Sequence, residues 1–245
     1  MAKDPLQSIY YPESRFGGFT RIDGTVAFYS RVQALGWKAA TVVDVGCGRG
    51  AHEEDRVEMR RTLRDLRGDG RRVIGIDVDA GAGANRFIDE FRLMTNATWP
   101  LDSSSVDLCF ADSVLEHVAA PDAFFSEARR VLRVGGFLCI RTTNTWSYVA
   151  LASRLVPNAM HARVLRRVQH ERKERDVFPT AYRCNSILRI RKALERHRLD
   201  GVVFGHHAEP SYLSFSRPAY FLGVMHQRLV PSFFAPTLFA FAQAV

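Results

Sequence analysis

The chain has 245 residues, 47% hydrophobic and 24% charged, which is enough apolar content for one buried α/β core and too ordinary a charge for global disorder. No apolar run reaches the ~18–20 residues that span a bilayer, the opening MAKDPLQSIYYPESR lacks a charged-then-apolar leader, and four scattered cysteines without a C-x-x-C pair argue against a zinc site or a disulfide framework and for a cytoplasmic setting. The net charge of +8 is local: Arg154 to Arg198 holds 13 Lys+Arg against 4 Asp+Glu while the rest is near neutral, so a locally basic face describes the chain better than a nucleic-acid-binding surface.

In chain order, the pattern predicts one domain, with an N-terminal lid and helix over 1–38, a core over 39–144, a basic cap over 145–185 and a C-terminal part over 186–245. Tyr10–Phe19 reads as a loop or lid. Thr25–Leu35 reads as a helix, with Val26, Tyr29, Val32 and Leu35 on one face. ATVVDVG is a β-branched run ended by glycine, as in a strand buried on both faces of a parallel sheet. His52–Arg67 is predicted as one helix ended by Gly68 and Gly70. RRVIGIDVD is a second buried strand, DAGAGAN a loop or short helix, and RFIDEF a short third strand.

Val106–Phe110 is a fourth strand. Pro121-Asp122 opens a helix through Leu132, with Phe124, Ala128, Val131 and Leu132 inward. Gly135-Gly136 reads as a tight turn and FLCIRTT as a fifth strand. Ser186–Leu199 has helical spacing. VVFGHHAEP and SYLSFSR are predicted as the last two strands, and a Phe-rich tail follows. Strands alternating with helices predict an α/β, doubly wound sheet.

VVDVGCGRG with Ala51 satisfies the G-x-G-x-x-G/A turn that brings backbone close to a ligand at a helix N-terminus. That turn suits a pyrophosphate or an amino-acid carboxylate. Asp44 weighs against the first, because a carboxylate there repels a pyrophosphate and suits an ammonium, such as the methionine part of S-adenosylmethionine; the bland alternative is that it only caps the turn. Asp77, ending the second strand, is placed to accept from ribose hydroxyls. Asp79 shares that role or is an ordinary loop acid.

DVGCGRG, IGIDVD, WPLDSSSVDLCFADSVLEHV and ARRVLRVGGFLCIRTTN, in this order between Thr41 and Asn144, resemble the class I S-adenosylmethionine-dependent methyltransferases, more closely the branch acting on small molecules and lipids. The resemblance implies a mostly parallel, seven-stranded Rossmann-like sheet, a helical cap insert before the last two strands, and S-adenosyl-L-methionine as cofactor. By position, Asp44 and the backbone of Gly46, Cys47 and Gly48 would hold the methionine portion, Asp77 the ribose and Val78 the adenine, with Asp112 near the methionine end. One departure is the short stretch between Asp77 and Trp99. It leaves the adenine-capping residue open between Asn96, which is preferred, and Asp89.

Methyl transfer needs a positioned nucleophile and, for a weak one, a base. His117 in SVLEHV is the catalytic candidate, following the fourth strand at the edge where such sites open; the alternative is a local hydrogen bond at the start of the next helix. Glu116 beside it reads as structural. Asn144, Trp146 and Tyr148 follow the fifth strand and either contact the acceptor or pack a loop. His206, His207 and Glu209 argue weakly for a metal, since adjacent strand residues face opposite ways. His161 and His170 read as solvated.

The basic cap either draws an anionic acceptor or membrane surface, or is a solvated face. Apart from Trp146, Tyr148 and Phe178 it lacks aromatics for stacking single-stranded RNA. Phe221, Phe233, Phe234, Phe239 and Phe241 in the tail either cover the sheet edge or form an interfacial surface. The expected function is methyl transfer to a small-molecule or lipid-like acceptor, O-methylation ahead of C-methylation. The rivals are an RNA methyltransferase, a non-catalytic binding protein of the same fold, and a nicotinamide reductase; the last lacks a Tyr-x-x-x-Lys constellation.

Overall fold

The computed structural model describes residues 5–35, 40–148, 150–151 and 179–245. His161, His170, Phe178 and most of the basic cap fall outside the described residues. In chain order come α1 (Pro5–Tyr10), α2 (Gly24–Leu35), β1 (Thr41–Val45), α3 (Glu58–Arg64), β2 (Arg72–Asp77), β3 (Glu90–Leu93), β4 (Val106–Asp112), α4 (Pro121–Val131), β5 (Leu132–Thr143), α5 (Ile187–Arg196), β6 (Leu199–His206), α6 (Arg217–Leu229) and β7 (Thr237–Ala244). The sheet order is β3-β2-β1-β4-β5-β7-β6. Pairings are parallel except those of β7, which runs antiparallel to both β5 and β6.

Strand alternation sorts the apolar side chains into two layers. Val43, Val45, Ile74, Ile76, Cys109 and Ile140 face a cluster with Phe124, Phe125, Ala128 and Val131 of α4 and Ile190 and Leu194 of α5. Val42, Val73, Leu108, Phe110 and Cys139 face the other way, against Phe28, Tyr29 and Val32 of α2. The sheet is therefore covered on both faces, as its continuous β-branched runs require. Helix starts follow local chemistry: Asp23 accepts from the N–H groups of Thr25 and Val26 at the start of α2, Pro121 sits in the first turn of α4, and Ser186 caps α5. Strand order reverses between β1 and β4, so a crevice opens at their C-terminal ends.

Four sequence expectations are corrected. His52–Arg67 is not one helix: a 3-10 turn, Ala51–Glu54, precedes α3. Asp55 makes the break, accepting from the N–H of Val57 and from Arg60. Gly135-Gly136 is no separate turn but lies inside β5 in a bulge, where Val106 pairs with Leu132 and Leu108 with Phe137; Gly135 takes φ +83°. The third strand begins at Glu90, later than RFIDEF implies. SYLSFSR is not a strand: Ser211–Leu213 is a 3-10 turn, and Pro218, without an N–H, stands in the first turn of α6. The last strand comes instead from the tail, where Leu238, Phe239, Ala240, Ala242 and Ala244 are buried.

Candidate active site

The crevice is a cavity of about 1530 Å³ whose walls include the turn after β1, the ends of β2, β4 and β5, the start of α2, and the 208–214 segment. Leu6 of α1 and Tyr11 just after it pack on Tyr220 and Val224 of α6, which brings Gln7 and Tyr220 to the cavity wall.

Gly46 and Gly48 take φ +67° and +53°, a conformation that glycine enters without strain. The N–H of Gly46 bonds the Ile76 carbonyl at 2.7 Å, tying the turn to β2. A Cβ on Gly46 would lie 2.6 Å from Val114, whereas one on Gly48 would meet nothing within 4 Å. The space over Gly48 is thus open to a ligand. Cys47 contributes backbone only: its thiol is buried against Gly75, burial pushes its pKa upward, and its carbonyl accepts from Asn85 at 2.9 Å.

Asp77 is buried at the cavity edge, accepting from the N–H of Gly48 at 2.9 Å and of Asp79 at 2.8 Å. A carboxylate has about four lone-pair sites, so acceptor capacity remains for hydroxyls. Val78 is 65% exposed on the same wall. Asp79 anchors its loop, accepting from Gly81 and pairing with Arg49 at 2.6 Å. Asn96 also lines the cavity and accepts from the N–H of Thr98. Asp89 accepts from the N–H of Val73 near the start of β2, at the opposite end of the sheet from the crevice. Of these two candidates, only Asn96 lines the cavity.

Asp44 opens onto the cavity, and its side chain makes no hydrogen bond or ion pair among the described residues. Burial raises its pKa well above the carboxylate range, aided by Asp112 and Asp77 and opposed by the charge of Arg64. Asp112 differs. Burial would raise its pKa too, but Arg141 holds it down to about 2. Arg141 donates to it from Nε at 2.6 Å, and the Tyr29 hydroxyl donates at 2.9 Å. Asp112 therefore lines the cavity as the counter-charge of a buried arginine, its oxygens already occupied. Arg141 also lies over the rings of Phe28 and Tyr29. From sequence Tyr29 was read only as part of the packed face of its helix, and Arg141 was not singled out; its signal was an arginine interrupting the apolar run FLCI just before Thr142-Thr143.

His117 ends the 3-10 turn after β4 and borders the cavity. Its Nδ1 lies 2.9 Å from the Pro179 carbonyl. A carbonyl only accepts, so Nδ1 is the donor of that bond. Glu116 is buried and structural, accepting from the hydroxyls of Thr142 and Thr143. Asn144 packs a loop, donating to the carbonyls of Phe233 and Ala235. Tyr148 lies edge-on to His226, and Trp146 is half exposed. His206 stacks on Phe239 and bonds the Ile22 carbonyl, while His207 lies beside His226. Glu209 accepts from Thr20. Those three residues thus have separate neighbours and do not converge.

An adenosine cofactor with a cationic amino-acid end fits this donor set. Asp77 keeps acceptor capacity that would suit hydroxyls, the space over Gly48 would admit close backbone approach, and Asp44 has no side-chain partner among the described residues. A pyrophosphate would meet that same carboxylate and be repelled.

Residues 43–140 match the family described as methyltransferase domain. An uncharacterised 37.1 kDa protein in transposon TN4556 of Streptomyces fradiae is 34% identical over 110 residues, which span 40% of this chain and 28% of that protein. Among solved structures, geranyl diphosphate C-methyltransferase from Streptomyces coelicolor A3(2), bound to Mg2+, geranyl diphosphate and S-adenosyl-L-homocysteine, is 19% identical with TM-score 0.52 over 90% of this chain and 78% of that one. An S-adenosylmethionine-dependent methyltransferase from Aquifex aeolicus is 15% identical with TM-score 0.51 over 100% of both chains. The [4+2]-cyclase SpnF is 15% identical with TM-score 0.54 over 89% and 80%. At these identities the likeness is one of fold, and SpnF marks that the fold also carries other chemistry.

Proposed function

We propose that this chain, a class I methyltransferase by its domain at residues 43–140 and its seven-stranded fold, moves a methyl group from S-adenosylmethionine to a small-molecule or lipid-like acceptor. The observation that carries the reading is Asp44, a carboxylate without a partner among the described residues, beside an open glycine turn and with Asp77 one strand away. When bound, the cofactor supplies an electrophilic methyl and its positive charge. The chain's own part is to bind, orient and exclude water. Asp44 takes the ammonium, Asp77 the ribose, and Val78 and Asn96 border the adenine.

Two features support a small acceptor. The cavity exceeds the roughly 300–1,000 Å³ usual for one ligand, leaving room for a second molecule beside the cofactor. Its far wall is polar, with Glu209, Ser211, Tyr212, Ser214 and Thr237, which suits a hydroxyl-bearing molecule and favours O-methylation. His117, at the cavity border, is the candidate base. C-methylation is the second reading, supported by the fold likeness to geranyl diphosphate C-methyltransferase.

Calorimetry on the purified chain is expected to give micromolar S-adenosylmethionine binding that Asp44→Ala abolishes and His117→Ala leaves intact. Incubation of labelled cofactor with fractionated cell extract should then give one labelled product, formed more slowly by His117→Ala. Its carbon-13 shift separates an O-methyl from a C-methyl group. Binding of NADH in place of S-adenosylmethionine would overturn the proposal.

A further inference from the structure

Among the described residues, four arginines reach the cavity walls: Arg49, Arg60, Arg64 and Arg141. Three have carboxylate partners. Arg49 pairs with Asp79, Arg60 with Asp55 and Asp23, and Arg141 with Asp112. Arg64 has none. Its side chain makes no hydrogen bond or ion pair among the described residues, and its Nε is buried without an acceptor. Its one protein contact of note is the ring of Tyr29, 5.7 Å from the guanidinium carbon. A guanidinium in that position is incompletely satisfied, because it carries five donors and lacks bulk water on its buried side.

Helix α3 delivers Arg64 to this place. The Asp55 turn starts the helix, and residues four apart share a face. Arg60, fixed by Asp55 and Asp23, therefore holds the face on which Arg64 also lies. The charge of Arg64 is felt at the cavity residues Asp44, Asp112 and His52, and also at Asp55, which Arg60 already holds. Asp44 and Arg64, of opposite charge type and without side-chain ion-pair partners among the described residues, thus line one cavity without pairing with each other. A ligand that satisfies both carries an ammonium and a carboxylate on neighbouring atoms, which is the α-amino-acid group.

We infer that Arg64 binds the carboxylate of the cofactor's methionine end while Asp44 binds its ammonium, the two side chains forming a zwitterion-matched clamp. This rests on the reading of the site as one for S-adenosylmethionine. An anionic acceptor is the lesser fit, because Arg64 lies over the Tyr29 ring and its charge reaches Asp44, at the end of β1 beside the turn.

The test measures equilibrium binding of three ligands to the full chain: S-adenosylmethionine, decarboxylated S-adenosylmethionine and 5′-methylthioadenosine. The wild type is expected to bind the first about 10- to 100-fold tighter than the second, the range of one charge-assisted hydrogen-bonded contact. Arg64→Gln should bring the two within about 3-fold, through loss confined to the carboxylate-bearing ligand. Unchanged 5′-methylthioadenosine binding shows that the pocket is intact. Arg64→Lys, which keeps the charge without the fork, should restore part of the discrimination, and it decides the matter if Arg64→Gln does not fold. Equal weakening of both sulfonium ligands, or no change in either, overturns the inference. A wild type that binds none of the three overturns the cofactor reading itself.

Discussion

Asp112 and Arg141 give the site a measurable acid sensitivity. The Asp112 carboxyl is held down to about 2 by Arg141 and Tyr29, against the upward pull of burial. A carboxyl whose pKa is depressed on folding stabilises the fold fully above its unfolded value, near 3.9, and loses that stabilisation as pH falls through the folded value. The window is therefore pH ~4 to ~2, and the contribution is on the order of 2 kcal/mol. Asp112→Asn, unfolded by urea across this range, should be about 2 kcal/mol less stable than the wild type near pH 7, with the gap closing toward pH 2. A gap that stays constant with pH would mean that the pairing is not what depresses the carboxyl. At this scale the sequence was legible where an acid sits at a strand end beside glycine, as Asp44 and Asp77 do. It was not legible for Arg141 or Arg64, because an arginine near a strand end or on a charged helix looks solvated until the facing element is known.

Element boundaries depended on whether a run carried its own stop signal. The β-branched strands β1 and β2 end in Gly46 and in the acids after Ile76, and both were readable. The segment Arg198–Val245 carries apolar residues throughout, so periodicity alone did not separate strand from helix there. Side-chain knots such as the one at Glu116 are invisible to any local pattern. Its carboxylate accepts from Thr142 at 2.6 Å, Thr142 in turn accepts from Asn185 at 2.6 Å, and the Glu116 carbonyl accepts from the N–H groups of Ala181 and Tyr182. The knot ties the return of the chain to the end of β5. Glu116→Ala leaves buried donors without an acceptor, so it should cost about 1–3 kcal/mol, whereas Glu116→Gln keeps an acceptor oxygen and should cost less. Amide exchange should quicken at Ala181 and Tyr182 in Glu116→Ala before it changes in β1 or β2. Uniform acceleration across the sheet would show a global effect with no local knot.

For the whole molecule, the aromatic tail divides into two parts with different duties. No helix among the described residues is long and apolar enough to cross a membrane. Phe221, Phe233 and Phe234 are partly exposed, while Phe239 is fully buried in β7 and touches the rings of Phe28, Phe204 and His206. β7 lies between β5 and β6, pairing from Phe137↔Gln243 to Thr143↔Thr237 on one side and from Leu199↔Ala244 to His206↔Thr237 on the other. Removing residues 231–245 would leave β6 without its neighbouring strand, unpair the backbone of β5 on that side, and uncover Ile140, Leu138 and Phe28. Each buried backbone group so orphaned carries a penalty of about 1–3 kcal/mol, against a total stability of about 5–15 kcal/mol for a domain. A chain ending at Val230 should therefore show no cooperative thermal transition by circular dichroism and should accumulate as aggregate. A cooperative transition in that truncated chain would place β7 outside the folding unit. Any test of an interfacial role for the tail must accordingly change Phe233 and Phe234 in their exposed turn, where the strand that follows keeps its place in the sheet.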